Sequence, residues 1–134
     1  MNTKAIGIRS EARVMRALLE LKGYVLLPYG ENQRYDMVFE EDGRFFRVQC
    51  KTGQLVNGVI RFNTVSTHGH RGKPSLRYHG QVEFFGVYCP QNHKTYLVPI
   101  EAIAPTNNKL YLRIDPTRNN QAKKIVWAAA YEIG

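Results

Sequence analysis

Four side chains in the first 51 residues are of types that could act together on a phosphate ester: Glu11, Asp36, Gln49 and Lys51. Three of them fall in the stretch YDMVFEEDGRFFRVQCK (35–51), where two alternating segments flank Glu41-Asp42-Gly43. Asp-Gly between such segments is a strong signal for a two-residue hairpin turn. With Asp42 and Gly43 in the turn, Glu41 faces Arg44, and the same register carried back sets Asp36 opposite Gln49. Opposed residues share a face with Cβ atoms roughly 4.5–5.5 Å apart, and Lys51, two positions on, shares that face about 7 Å further along. A carboxylate, an amide oxygen and an ammonium on one face could bind a hard cation through oxygen and set a positive charge beside a phosphate. They could equally form a cross-strand Asp36–Lys51 ion pair on a solvated face, with Gln49 as a spacer. A slip of one residue would send Asp36 and Gln49 to opposite faces, so the cluster depends on this turn.

The elements that must position these groups can be read in outline. Residues 4–22 read as a helix, with Val14, Leu18 and Leu21 at spacings of four and three and Gly23 as the stop. Glu11 lies on the same stripe and projects toward whatever the helix packs on; the plainer reading pairs it at the helix edge with Arg13, Arg16 or Lys22. Tyr24–Leu27 reads as a short buried strand ended by Pro28. Residues 52–82 are rich in turn formers and read as a long loop or excursion with one strand near VIRFN (59–63). VEFFGVY (82–88) and TYLVP (95–99) read as two strands of a hairpin, the first buried on both faces. IEAIAP suits a single helical turn and KLYLRI (109–114) a strand. The tail from Asn119 suits a helix by Ile125 and Ala129 or a strand by Ile125 and Trp127, with Trp127 as a packing anchor.

Charge narrows the class of partner. The chain has 134 residues, apolar residues at 43% and a formal net charge of +8. From Gly43 through Val82 there is no acid, while Arg44, Arg47, Lys51, Arg61, Arg71, Lys73 and Arg77 are all cationic, so nearly all the excess sits in one block. A one-sign block on a small chain is the footprint of a polyanion site. The length suits one domain. No run reaches the roughly 18–20 apolar residues of a membrane span and no signal peptide precedes the helix, which predicts a soluble, cytoplasmic protein without a membrane partner. Cys50 and Cys89 are too few for a disulfide framework, and His68-x-His70 alone is a weak zinc signal.

A helical Glu, an Asp opening a strand and (Asp/Glu)-x-Lys on the next strand resemble the PD-(D/E)XK nuclease superfamily, here as Glu11, Asp36 and Gln49-Cys50-Lys51. Within it the chain is similar to the homing endonucleases encoded in cyanobacterial group I introns and to the archaeal Holliday-junction resolvases. The resemblance covers about residues 4–99. It implies an α/β, restriction-endonuclease-like core: a mixed central sheet flanked by helices, with the N-terminal helix carrying Glu11. It implies one nuclease domain over 1–134, with a basic DNA-binding excursion at about 55–80.

The resemblance further implies a site-specific, metal-dependent double-stranded DNA endonuclease that hydrolyses phosphodiester bonds, with Mg²⁺ as cofactor and Mn²⁺ as a substitute. Asp36 is then the central ligand, Glu11 a second carboxylate, Gln49 a neutral amide ligand in place of the usual acid, and the Cys50 backbone carbonyl a further ligand. Lys51 orients the attacking water or stabilises the phosphate. Arg61, Asn63, Ser66, His68, His70, Arg71, Lys73 and Arg77 are the candidate DNA contacts. Cutting both strands of a long site with one centre per chain calls for a homo-oligomer, a dimer or tetramer. A junction resolvase, and a noncatalytic nucleic-acid-binding module in which Gln49 marks a retired site, are the alternatives.

Overall fold

The computed structural model describes residues 2–66, 76–115 and 125–134. Helix α1 (Thr3–Lys22) starts at Asn2, whose side-chain oxygen accepts from the Ala5 N–H at 2.8 Å, and stops at Gly23 with φ of 90°. That pair of caps satisfies main-chain groups the helix leaves free at its ends.

Strands β1 (Met37–Glu41) and β2 (Arg44–Thr52) form the expected hairpin, with Glu41 facing Arg44 and Met37 facing Val48. Asp42 and Gly43 both take positive φ, 53° and 78°, as this two-residue turn demands. After β2 the chain makes a second hairpin, β3 (Gln54–Val56) and β4 (Val59–Asn63), over Asn57-Gly58. Short strands β5 (Val65–Ser66) and β6 (Leu76–Arg77) pair with each other. Strands β7 (Phe84–Cys89) and β8 (Lys94–Pro99), one 3₁₀ turn at Ile100–Ala102, β9 (Lys109–Arg113) and a second 3₁₀ turn at Ala128–Ala130 complete the described chain.

The main sheet has the order β1-β2-β7-β8, with β2 and β7 parallel and the other neighbours antiparallel. It is the mixed sheet that the α/β expectation requires. One face receives α1, with Val14 and Leu18 against Met37, Phe39, Val48 and Tyr88. The approach is close: a Cβ at Gly86 would stand 2.4 Å from Val14 Cγ1, so the residue under the helix has no room for a side chain. The opposite face is covered by a second sheet, β3-β4-β9, whose Ile60, Phe62, Leu110 and Leu112 meet Phe85, Val87 and Val98. Among the described residues there is one long helix, and this second layer is β rather than α.

Several local expectations are corrected. Residues 24–27 make no strand; Leu26 forms a single bridge to Val38, and Leu26 and Leu27 are exposed. Leu21 is also exposed, because at the last turn of α1 it is Lys22 that faces the sheet, its ammonium over the Phe39 ring and 2.8 Å from Glu41. The presumed loop over 52–82 contains the β3–β4 hairpin. Of the tail, residues 119–124 lie outside the described residues, and 125–134 form neither of the expected elements but two bridges around a 3₁₀ turn, with Ala128, not Trp127, buried there. No helix among the described residues is long and apolar enough to cross a membrane.

Candidate active site

Asp36 sits just before β1, at the end of the main sheet. Its N–H donates to the Val48 carbonyl at 2.8 Å, although Val48 is already the partner of Met37. Asp36 is thus an extra residue at the start of the strand, as in a β-bulge, a feature that re-aims side chains. Its carboxylate Oδ2 accepts from the Cys50 N–H at 2.8 Å. The opposition of Asp36 to Gln49 is therefore not a strict ladder pair. The Asp36 side chain stands where a strand partner of Cys50 would be.

That geometry also disposes the Cys50 carbonyl. A residue's N–H and C=O leave a strand on the same side, so with the N–H held by Asp36 the carbonyl points off the same edge. Among the described residues its side-chain partner there is Gln49 Nε2 at 3.4 Å, a long contact. Turning the amide by half a rotation would present Gln49 Oε1 instead. Cys50 itself packs its side chain toward the α1 layer, and burial first, then the Asp36 and Glu11 charges, push its thiol well above the usual range.

Glu11 comes from α1, one turn before Val14. Glu11 and Asp36 line one cleft of about 300 Å³ together with the loop residues Leu27, Pro28, Gly30 and Tyr35. The edge-pair alternative for Glu11 is not what forms: Arg16 pairs with Glu20 and Lys22 with Glu41. Burial, then the charge of Asp36, raises the Glu11 carboxyl above its ordinary range. Burial likewise raises Asp36, against the lowering effect of the Cys50 N–H and the Lys51 charge.

Lys51 lies on the sheet face opposite α1. Its Nζ donates to the Val65 carbonyl at 3.4 Å and stands 4.9 Å from the centroid of the Tyr78 ring. It makes no ion pair with Asp36 among the described residues, so the cross-strand pair is not formed. Lys51 is lowered to about 8, chiefly by burial, with the Asp36 charge opposing and the Arg34 charge adding to the fall.

Arg34 and Tyr78 were not among the expected site residues. The Arg34 guanidinium lies 3.9 Å from the Tyr78 ring centroid and donates to Ser66 Oγ at 2.8 Å and the Arg77 carbonyl at 2.9 Å. It thereby ties β5 and β6 to the loop that carries Asp36. An arginine two residues before the motif aspartate was the only available signal, and it is a weak one.

The expected DNA contacts divide. Arg61 and Asn63 are exposed on β4. Ser66 is taken up by Arg34, and Arg77 donates to the Asn107 carbonyl at 2.6 Å and Asn108 Oδ1 at 3.0 Å. Arg47, in the basic block, is neutralised by Glu83, whose carboxylate accepts from both its guanidinium and its N–H. His68, His70, Arg71 and Lys73 lie outside the described residues.

Among the described residues no three His, Cys, Asp or Glu side chains gather as a metal cage. The donors that do share this end of the sheet are two carboxylates, an amide oxygen and a main-chain carbonyl. All are hard oxygen donors, and magnesium typically takes one or two carboxylates and keeps several waters. The donor set fits that ion, with the charged forms of both carboxylates disfavoured by burial and that of Glu11 also by the charge of Asp36.

The family model described as PD-(D/E)XK endonuclease matches residues 1–134. Among solved structures, a bacterial homing endonuclease, I-Ssp6803I, aligns with a TM-score of 0.74 and 23% identity over 98% of this chain and 89% of that one. At that identity the likeness is one of fold. No curated protein matches.

Proposed function

The chain belongs to the PD-(D/E)XK endonuclease family, and from that premise we propose that residues 1–134 act as one metal-dependent, site-specific double-stranded DNA endonuclease of the intron-homing kind. The observation that carries the reading is the convergence of Glu11 from α1 and Asp36 from the start of β1 on one cleft, with Lys51 two residues beyond Gln49 on β2. The homing endonuclease whose structure aligns with this chain points the same way.

In this reading the Glu11 and Asp36 carboxylates, the Gln49 amide oxygen and the Cys50 carbonyl would hold a divalent cation, Mg²⁺ or in its place Mn²⁺. Bound there, the cation would neutralise charge developing on the phosphate and acidify a water. Asp36 keeps one oxygen on the Cys50 N–H and offers the other, so the strand edge fixes its direction. Gln49 contributes an oxygen without a charge, which leaves Glu11 to supply the second negative charge. Lys51, titrating at about 8, is mostly charged at neutral pH and holds a positive charge at the scissile phosphate. Water adds to phosphorus as the P–O3′ bond breaks, and the 3′-oxygen leaves with a proton. A duplex has two strands and each chain one centre, so a symmetric oligomer is the working form.

Plasmid cleavage with Mg²⁺ against EDTA tests the reading. Metal-independent binding with no nicking at any enzyme excess would leave the noncatalytic module. Cleavage of a randomised duplex library beside a four-way junction then separates the variants: linear sites with a consensus support homing, and junction-only cutting supports a resolvase.

A further inference from the structure

Given the DNA-endonuclease reading, on which this assignment rests, we propose that the outer face of β3-β4-β9 is a base-reading surface that lies in the DNA major groove. Side chains alternate along each of these strands. Ile60, Phe62, Leu110 and Leu112 turn inward to the core, and the positions between them turn out. The register sets Arg61 beside Tyr111, Asn63 beside Lys109 and Val59 beside Arg113, with Gln54 on the other flank of Arg61. Five of these positions, all but Val59 and Arg113, are exposed.

The chemistry of that face is specific. β3, β4 and β9 hold no acid at all; Asp115 falls beyond the end of β9, at the Asn57-Gly58 turn. Phosphate-binding surfaces need only Lys and Arg, but this one adds Asn63 and Gln54, the amides whose paired donor and acceptor match the edge of adenine, while Arg matches guanine. Gln54 Oε1 accepts from Arg61 Nε and Nη2 at 3.2 and 2.9 Å, which ties the guanidinium to the neighbouring strand. Around Arg61, Asn63 and Lys109 is a cleft of about 210 Å³, floored by Thr52 and Phe62. The major groove admits a two-stranded ribbon, and β4 with β9 is the pair of strands that would enter it, carrying Arg61, Asn63, Lys109 and Tyr111, with β3 flanking it.

The ribbon is also fixed to the candidate active site at two points. β2 runs into β3 with only Gly53 between, and a Cβ there would lie 2.6 Å from Ile60 Cγ2 and 3.1 Å from Val87 Cγ1. At the far end of β4 the chain reaches Val65, whose carbonyl takes Lys51 Nζ. Gln54 is therefore three residues from Lys51 along stiff chain, about 10 Å at strand rise. Base readers at a fixed offset from a phosphate-holding lysine set which bond is cut relative to which bases are read.

Selection of duplexes from a randomised library in EDTA, by the full-length wild type and by Arg61→Lys, Asn63→Ala and Lys109→Ala, tests the assignment. Arg61→Lys keeps the charge and loses the fork, so it should leave the salt dependence of affinity unchanged while discrimination at one base pair falls about 10–100-fold. Asn63→Ala should relax a different, neighbouring base pair by a similar factor. Lys109→Ala removes a cation from that face and should lower affinity for all sequences and the salt slope by about one. Thermal melts matching the wild type confirm that these exposed changes leave the fold alone. Unchanged base preference in both Arg61→Lys and Asn63→Ala, with or without uniform weakening, would overturn the base-reading assignment while leaving the endonuclease reading standing. A wild type that enriches no duplex and binds none at low salt would sink both together.

Discussion

Replacing Lys51 by Met is expected to stabilise the metal-free protein at neutral pH while removing cleavage. Lys51 titrates at about 8 because burial strips its ammonium of water and Arg34 repels it, by more than Asp36 restores. From an ordinary value of 10.5, and at ~1.4 kcal/mol per tenfold, keeping that ammonium charged costs the folded state roughly 3 kcal/mol. Met keeps most of the volume without the charge. What it forfeits is the contact with the Tyr78 ring and the long bond to the Val65 carbonyl, together ~1–2 kcal/mol. The net gain is then ~1–2 kcal/mol at pH 7.

The sign of the pH dependence follows from the depressed value. Below pH 8 Lys51 is protonated in both states and the cost is fully present. Between about pH 8 and 10.5 the folded protein has shed a proton that the unfolded chain still binds, so wild-type stability rises with pH relative to the variant. Urea unfolding of both proteins in EDTA at pH 7 and about pH 9.5 measures the difference, and titrations common to both cancel. A variant less stable than the wild type at pH 7, or a gap that does not move with pH, would refute the desolvated, charged Lys51.

Asp36→Asn retains an oxygen that can accept the Cys50 N–H, so DNA binding in EDTA, read by gel shift, should persist while cleavage falls on the order of 10²–10³-fold or more; parallel loss of both would make Asp36 structural. Gln49→Glu adds a third carboxylate and should move the midpoint of a Mg²⁺ titration of cleavage down roughly tenfold, or about 1.4 kcal/mol. An unmoved midpoint removes Gln49 from the ligand set. Gly53→Ala drives a Cβ into Ile60 and Val87 and should cost ~1–3 kcal/mol in chemical denaturation, whereas a neutral result would mean that β3 is not held against the main sheet. Arg34→Lys keeps the charge but cannot span Gln81, Ser66 and the Arg77 carbonyl at once. It should lower the cleavage rate more than it weakens duplex binding, and equal effects on both would place Arg34 outside the active site.

Local chemistry was legible without a structure. The Asp42-Gly43 turn fixed the β1–β2 register because positive φ at two adjacent positions admits few residues, and that register carried Gln49 and Lys51 onto one face. The stripe of α1 put Glu11 on its sheet side. Asn57-Gly58 bears the same turn signature, so the β3–β4 hairpin could have been read where a loop was expected. The failures at Tyr24–Leu27 and Leu21 have a shared cause: apolar character says that a residue could be buried, and only the extent of the neighbouring layer decides whether it is.

By itself, then, the sequence determined the hairpin, the helix, the acid-free block and the order of Glu11, Asp36, Gln49 and Lys51. The tertiary structure alone decided three things. It displaced Asp36 by a bulge so that its carboxylate caps the Cys50 N–H, it brought Arg34 and Tyr78 up to Lys51, and it paired β4 with β9 to place Lys109 and Tyr111 beside Asn63 and Arg61. Each joins groups far apart along the chain or departs from regular pairing by one residue. Periodicity within a segment reports which face a side chain takes, but it carries no information about which distant segment will lie against that face.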